Sequence, residues 1–459
     1  MYKSEVIDLF YPGLEGSPYY RIPSLARLKN GNILACADQR LETESDWGGK
    51  IEPALRIKKF GEDRFSDVIK PFYAADTKSP NPSYTIDTCL FPADYENNKK
   101  VYMVIDKFKS NGNYLTSKKG TGYIEVDGEK CPLLFYTSQN RLLFEKINER
   151  YYIKNGKIYT MNHEETDLRV VMKDAYPFDK LGDIYMGDDI MGNIYSDRSF
   201  LQVHQTSYLW FTYSEDGGEN WTSPKDISMD VADDWMMFLG VSPGRGLQLP
   251  TGRLLVPIYF TTDNADDIYD LREHAALIYS DDFGETWDRS KSVNDFGDYN
   301  SLLGKVKTNT SESQIVRLND GTLILFSRTT SDKLVYSYSY DDGQSFGESL
   351  VETDFESEPF CMVSICKYDR DGKQYILVSN PKGPCRTNGF IKIMEVGNGN
   401  RLKTIKEKQI NSTNFTYSCI EKISDDGIFG LLYEQRENSN GEDKEHLKYT
   451  EFDFDWLMS

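Results

Sequence analysis

Histidine is nearly missing from this chain. Its four residues in 459 include none with a partner at metal-ligand spacing, so no His-built metal centre is read. Cysteine is sparse and odd in number. Cys36, Cys89, Cys131, Cys361, Cys366, Cys385 and Cys419 are scattered without a CxxC pair, which argues against a disulfide framework and against a cysteine-built zinc site. No apolar run approaches the ~20 residues that span a bilayer. The N-terminal MYKSEVIDLFYPG lacks the apolar h-region and small-residue cleavage site of a signal peptide. The expectation is a soluble protein, either cytoplasmic or exported with its leader already removed. Positive charge is in deficit, with 53 Lys+Arg against 73 Asp+Glu and a net charge of −20. That balance argues against nucleic acid and anionic membranes as partners. Any anionic ligand must be caught by a local arginine cluster, against the overall field. Helix-period patterning is weak throughout, and Asp266 to Glu273 reads as a short helical turn at most.

What the chain has is aromatic residues and turns. Aromatics make up 13%, with 31 Tyr and 24 Phe, and Gly, Asn and Asp cluster in short links. This mix suits strands and tight turns. The length allows several domains, but repeat-built β folds reach the same size as one. A short box recurs three times: YSEDGGENW from Tyr213 to Trp221, YSDDFGETW from Tyr279 to Trp287, and YSYDDGQSF from Tyr338 to Phe346. Each fits S-x-D-x-G-x-x-[W/F] and follows an apolar strand. The Asp caps a turn, the Gly takes the positive-φ position, and the aromatic folds back beneath the loop. A worn fourth copy lies at RIKKFGEDRF, from Arg56 to Phe65. Spacing near sixty residues, with several short strands per unit, predicts an all-β fold, a radial array of four-stranded antiparallel blades that makes a β-propeller. About a hundred residues without a box, 106–205, read as a β-rich subdomain inserted between blades at the rim. Residues 1–105 and 206–459 then form the propeller.

One stretch has the makings of a site. In YYRIPSLARLKNGNILACADQRLETESD, from Tyr19 to Asp46, Arg21 opens a strand at an Arg-Ile-Pro turn, Asn30-Gly31 marks a hairpin, and Arg40 and Asp46 follow. Arginine keeps its charge at any working pH, and its planar fork suits a carboxylate. The stretch reads as an anion clamp beside a proton donor; taken alone, Arg21 also reads as a surface charge before a strand.

With the Arg-Ile-Pro start and three boxes, the chain resembles the sialidases of glycoside hydrolase family 33, most of all the large bacterial catalytic domains. The likeness runs from Asp8-Leu9-Phe10-Tyr11-Pro12-Gly13 through Asp234 to Gly240 and Pro243-Gly244-Arg245-Gly246 to Gly430-Leu431-Leu432-Tyr433-Glu434. The resemblance implies a six-bladed β-propeller and a carboxylate-binding triad of Arg21, Arg328 (after LILFS) and Arg386 (in NPKGPCRTNG). It implies Asp46 as acid/base, eight residues after Asp38, Glu312 as the glutamate serving the nucleophile, and Tyr417 as the nucleophile. Arg40 matches an additional arginine near the carboxylate pocket. Asp87 matches a residue facing the far side of the sugar, and Phe238 and Gln248 match groups around its N-acetyl and glycerol ends. Phe360 stands where a Tyr is common. The loop LETESDWGG departs from the Gly-rich, Pro-containing loop of relatives, and Leu41 replaces a second arginine often seen there.

The chemistry accounts for these residue types. A sialic acid carries a carboxylate on its anomeric carbon, and three guanidiniums converging on it orient the ring. A carboxylate nucleophile would be repelled by that charge, whereas a neutral phenol is not; sialidases are the exception among retaining glycosidases in using Tyr. A free phenol titrates near ~10, so Glu312 must draw off its proton as attack proceeds, with nearby arginines favouring phenolate character. Asp46 would protonate the leaving oxygen and then deprotonate water. The scheme calls for no metal and no organic cofactor. Sialylated glycans are the expected partners, and a monomer the expected state. Relatives are usually exported. The favoured activity is an exo-α-sialidase. An intramolecular trans-sialidase, with Phe108, Tyr114 and Trp47 crowding out water, stays open, as does a non-catalytic sialoglycan-binding propeller.

Overall fold

The apolar runs that end in Asx and Gly turns all form strands. The computed structural model describes residues 1–76, 79–95, 97–137, 150–263, 272–293, 309–330, 333–352, 360–439 and 441–459. Six antiparallel sheets follow one another along the chain as blades, and their innermost strands are Tyr19–Arg27, Tyr84–Pro92, Leu239–Val241, Ser313–Arg317, Ser364–Arg370 and Ser418–Lys422. The expected four strands hold for the second, fourth, fifth and sixth blades. The first has three, with a single bridge from Leu55 to Ile69 on its outer side, and the third has five. The sixth blade takes its outermost strand from Ile7–Phe10, which pairs with Glu442–Asp453 and so ties the two ends of the described chain together. Strands such as Ile33–Arg40 and Leu254–Thr261 are buried at every position, because the blades stack face to face and cover both sides of each sheet. Among the described residues the α-helices are short, Ser228–Val231 and Phe454–Met458. Of the stretch expected to form a helical turn, residues 266–271 lie outside the described residues, and Glu273 opens the strand Glu273–Ser280.

The three boxes adopt one conformation. Ser214 Oγ donates to Asp216 Oδ1 and accepts from Gly218 N, while Asp216 Oδ1 accepts from Asn220 N. The second box repeats this with Ser280, Asp282, Gly284 and Thr286, and the third with Ser339, Asp341, Gly343 and Ser345. Trp221 and Trp287 donate their indole N–H to the Gly218 and Gly284 carbonyls. The box glycines, at φ between 85° and 97°, press on the preceding blade. A Cβ at Gly218 would meet Leu34, one at Gly284 would meet Phe211, and one at Gly343 would meet Leu277. The motif is therefore a joint between blades as well as a turn. In the worn copy, Gly61 meets nothing, but Phe65 packs edge-on against Tyr449 of the sixth blade at 5.1 Å.

Eight strands from Tyr123–Val126 to Leu201–Val203 form a further sheet system. They leave from Val101–Phe108 and return to Ser207–Ser214, and these two strands pair with each other over their full length. The additional sheet is thus set inside the second blade, between its second and third strands, and not between blades. Its core is continuous with that blade: Leu134, Ile158, Ile184 and Leu201 pack in one cluster with Met103, Ile105 and Trp210.

Candidate active site

Every blade sends a residue from the start of its innermost strand to one end of the propeller axis. In blade order these are Arg21, Asp87, Phe238, Glu312, Phe360 and Tyr417, and all six line one cavity of about 320 Å³. Because neighbouring strands are antiparallel, the ends of the second strands and the starts of the third reach the same place. They bring Asp46, Asp106, Tyr114, Glu273, Arg328 and Arg386 to it. Two inner strands carry a register break there, between Arg21 and Ser24 and between Ile86 and Cys89. At each break one residue is left-handed, Ile22 at φ 61° and Asp87 at φ 64°. Such a conformation in a β-branched residue costs on the order of 1–3 kcal/mol and marks a functional constraint. Glu434 holds Ile22 in place by accepting its backbone N–H at 2.7 Å.

Tyr417 and Glu312 form the centre. The Tyr417 hydroxyl lies 2.6 and 2.8 Å from the two Glu312 oxygens, and both residues are buried. Arg328 Nη1 donates to Glu312 Oε2 at 2.5 Å and to Tyr417 Oη at 2.8 Å. The guanidinium carbons of Arg21 and Arg386 stand 5.6 and 5.5 Å from the Tyr417 ring centre. Three permanent cations thus surround one phenol. Even so, burial drives the phenol well above its ordinary range: the pull of Arg328 and Arg386 is outweighed by burial with the Glu312 carboxylate beside it. The arginines pull toward the phenolate, as expected, without prevailing over burial. Burial thus keeps Tyr417 a neutral hydroxyl, hydrogen-bonded to Glu312.

Phe360 orients two of the cations. Its carbonyl accepts from Arg386 Nη2 at 2.9 Å, and its ring lies 3.6 Å from the Arg328 guanidinium carbon. Arg21 is held by Glu434, whose Oε1 is 3.2 Å from Nε. Its Nη1 also reaches Asp46 Oδ1 at 3.1 Å, and Arg40 Nη1 meets the same oxygen at 2.7 Å. Burial works to raise the Asp46 carboxyl, but Arg40 and Arg21 together hold it down at about 2.

The opposite side of the cavity is acidic and aromatic. Asp106 accepts from Val241 N at 2.8 Å through Oδ1, and its Oδ2 has no hydrogen-bond partner. Burial raises the carboxyls of both Asp87 and Asp106 far above the usual range, and each is pushed further by neighbouring acids. Tyr114 donates to Glu273 Oε1 at 2.5 Å and packs edge-on against Phe238 with ring centres 4.6 Å apart. Trp47, Tyr84, Phe108 and Tyr259 complete the wall.

Of the residues expected from the sequence, Arg21, Asp46, Asp87, Phe238, Glu312, Arg328, Phe360, Arg386 and Tyr417 line this cavity together. Two do not. Arg40 is fully buried behind Asp46, its guanidinium taken up by Asp46, Asp38 and the Glu44 carbonyl, so it shapes the acid rather than the cavity wall. Gln248 lies elsewhere: its Oε1 accepts from Tyr95 N and its Nε2 donates to the Gly252 carbonyl, which makes it a backbone brace in the third blade. Three participants were not anticipated. Glu434 ends the Gly-Leu-Leu-Tyr-Glu segment, Asp106 closes the apolar run VYMVI, and Glu273 opens a strand; an acid at the end of an apolar strand was the available signal. Away from the cavity, Asp8, Glu437 and His446 gather as potential metal ligands. The Lys448 ammonium already bridges the two carboxylates at 2.6 Å each.

A family model described as a BNR repeat-like domain matches residues 195–411. The anhydrosialidase of Macrobdella decora is 27% identical over 96% of this chain and 61% of its own length. Sialidase B of Streptococcus pneumoniae is 23% identical over 91% of this chain, again 61% of its own length. The chain therefore spans about three fifths of these curated relatives. The intramolecular trans-sialidase of Ruminococcus gnavus superimposes with a TM-score of 0.80 at 25% identity, covering 98% of both chains. With the box-jointed six-bladed ring and the Tyr–Glu–arginine cluster at its axis, the chain is similar to sialidases and intramolecular trans-sialidases in both sequence and fold.

Proposed function

We propose that this protein releases terminal sialic acid from glycoconjugates with retention, by double displacement at Tyr417. The observation that carries the reading is the contact of one phenol with one glutamate and one arginine, Tyr417 Oη to Glu312 Oε1 at 2.6 Å and to Arg328 Nη1 at 2.8 Å. Arg21, Arg328 and Arg386 would bind the substrate carboxylate and present the anomeric carbon to Tyr417. As the phenolic oxygen attacks, its proton passes to Glu312, and the leaving glycosidic oxygen takes a proton from Asp46. In the second step Asp46 takes a proton from the incoming hydroxyl, the bond to Tyr417 breaks, and Glu312 returns the phenolic proton. Turnover of an aryl sialoside by the parent protein, lost in Tyr417→Phe, tests this. An inactive parent would favour a glycan-binding propeller instead.

A second reading concerns the nucleophile of that second step. The aromatic wall of Trp47, Tyr84, Phe108, Tyr114, Phe238 and Tyr259 disfavours free water. Two of the relatives bear the names anhydrosialidase and intramolecular trans-sialidase. Both features favour capture by the sugar's own glycerol hydroxyl. Mass spectrometry of the product from 3′-sialyllactose separates the two: hydrolysis gives the free acid, and intramolecular transfer gives a sugar lighter by one water.

A further inference from the structure

Behind the arginine clamp lies a chain of groups that the mechanism does not use. Glu445, on the strand Glu442–Asp453, is buried. Its Oε1 is 3.0 Å from Thr416 Oγ1, and the same hydroxyl is in hydrogen-bond contact with Glu434 Oε2. Glu434 in turn receives Ile22 N, Tyr417 N and the Arg21 guanidinium. A threonine hydroxyl has one proton to donate, so between two carboxylates it satisfies only one. The other must bring its own proton. Glu434, with three further donors, is the ionised member, which leaves the proton on Glu445.

The surroundings of Glu445 fit that assignment. Arg436 on the paired strand places Nε 3.3 Å from Glu445 Oε2, and its Nη2 is drawn away to Glu44 at 2.8 Å. From the first blade comes Arg21, from the neighbouring strand Glu434, and across a second cavity stand Arg386 and Cys385 of the fifth-blade loop. That cavity, about 440 Å³, shares Arg21 and Arg386 with the catalytic one. Exposed Cys385 and Arg436 in its wall give solvent a route to the Glu445 carboxyl. Burial and the Glu434 charge push that carboxyl up to about 7, against the pull of Arg21 and Arg436.

We propose that Glu445 is a positioning residue for the anion clamp: with its proton it completes a Glu445–Thr416–Glu434 chain that leaves Arg21 facing one carboxylate from this side, and without it a second negative charge competes with the substrate for Arg21. This rests on the sialidase reading above. The sign follows from the chain: substrate binding is tight on the acid side and weakens as pH rises and the proton leaves.

The test is the pH dependence of KM and kcat for an aryl sialoside between about pH 5.5 and 8.5. The parent KM should rise about three- to tenfold with pH, the size expected of one added charge in a partly screened site, with the rise confined to KM. In Glu445→Gln the amide donates to Thr416 at every pH, so KM should stay at its acid-side value. Arg436→Gln removes a cation that favours the ionised form, so it should move the parent's inflection to higher pH; this variant carries the test if Glu445→Gln does not fold. A flat parent KM, a rise that survives in Glu445→Gln, or an inflection unmoved by Arg436→Gln overturns the inference alone. A parent without turnover takes down the sialidase reading as well.

Discussion

Arg21 and Asp46 are ion-paired at 3.1 Å, so a cation expected to bind the substrate carboxylate is one of the two that keep the expected proton donor ionised. Arg40 shares the task from the buried side at 2.7 Å. An acid held at about 2 cannot donate at neutral pH while both cations remain on it. A carboxylate bound at Arg21 would remove one of them, and Asp46 would then rise toward the range where it can work.

The first prediction follows. In the free protein Asp46 is ionised above about pH 2, so any fall in kcat/KM from loss of its proton begins near there, and the profile should show no inflection from Asp46 in the ordinary carboxylate range near ~4. Asp46→Ala should lower turnover of sialyllactose by roughly 10²–10⁴ and turnover of an aryl sialoside, whose leaving group needs little protonation, far less. Equal losses on both substrates would remove Asp46 from the acid role.

A second prediction concerns Phe360, which carries Arg328 on its ring and Arg386 on its carbonyl. A desolvated cation–π contact contributes about 2 kcal/mol. Phe360→Ala should therefore raise KM roughly thirtyfold, while Phe360→Tyr, which keeps the ring, should stay within about threefold. Steady-state kinetics on one aryl sialoside distinguishes the two.

The third tests the blade joints. At Gly284, φ is 97° and an added Cβ would stand 2.4 Å from the Phe211 ring. Gly284→Ala combines a disfavoured backbone with a clash across two blades and should cost about 2–4 kcal/mol. Gly61→Ala in the worn copy meets no neighbour and should cost less. Urea unfolding followed by tryptophan fluorescence measures both.

The fourth is a stability–pH relation. Burial raises the Asp106 carboxyl, so the folded state keeps a proton that the unfolded chain releases near ~4. The folded protein then binds more protons than the unfolded one, and stability falls as pH rises from the unfolded value toward the folded one. Asp106→Asn keeps an acceptor for Val241 N and has nothing to titrate. The loss of Tm between pH 5 and pH 8 should be smaller in the variant than in the parent, as scanning calorimetry would show.

What was legible in the sequence was local or patterned. Ser214, Asp216, Gly218 and Trp221 make their hydrogen bonds within one turn, so the box and the propeller it implies could be read from a single stretch. Glu312 and Tyr417 are far apart in the chain, and only a family pattern could pair them before the ring brought them within 2.6 Å. The rest depended on long-range packing. That Val101–Phe108 pairs with Ser207–Ser214 across the inserted strands is set by partners about a hundred residues apart. Gln248 spends its amide on backbone groups of Tyr95 and Gly252, partners that leave no mark in side-chain pattern. Arg40 was recognised as an arginine of the site, but its burial behind Asp46 follows from how the Glu42–Lys50 loop folds over the end of its strand.

The six inner-strand residues at the axis come one from each blade, in chain order from Arg21 to Tyr417. No fragment short of the whole circle holds the proposed set, since Arg21 of the proposed clamp stands in the first sector and Tyr417, the proposed nucleophile, in the last. Activity should therefore appear only after the final sector docks against the first, which makes enzyme assay during refolding a direct clock for ring closure.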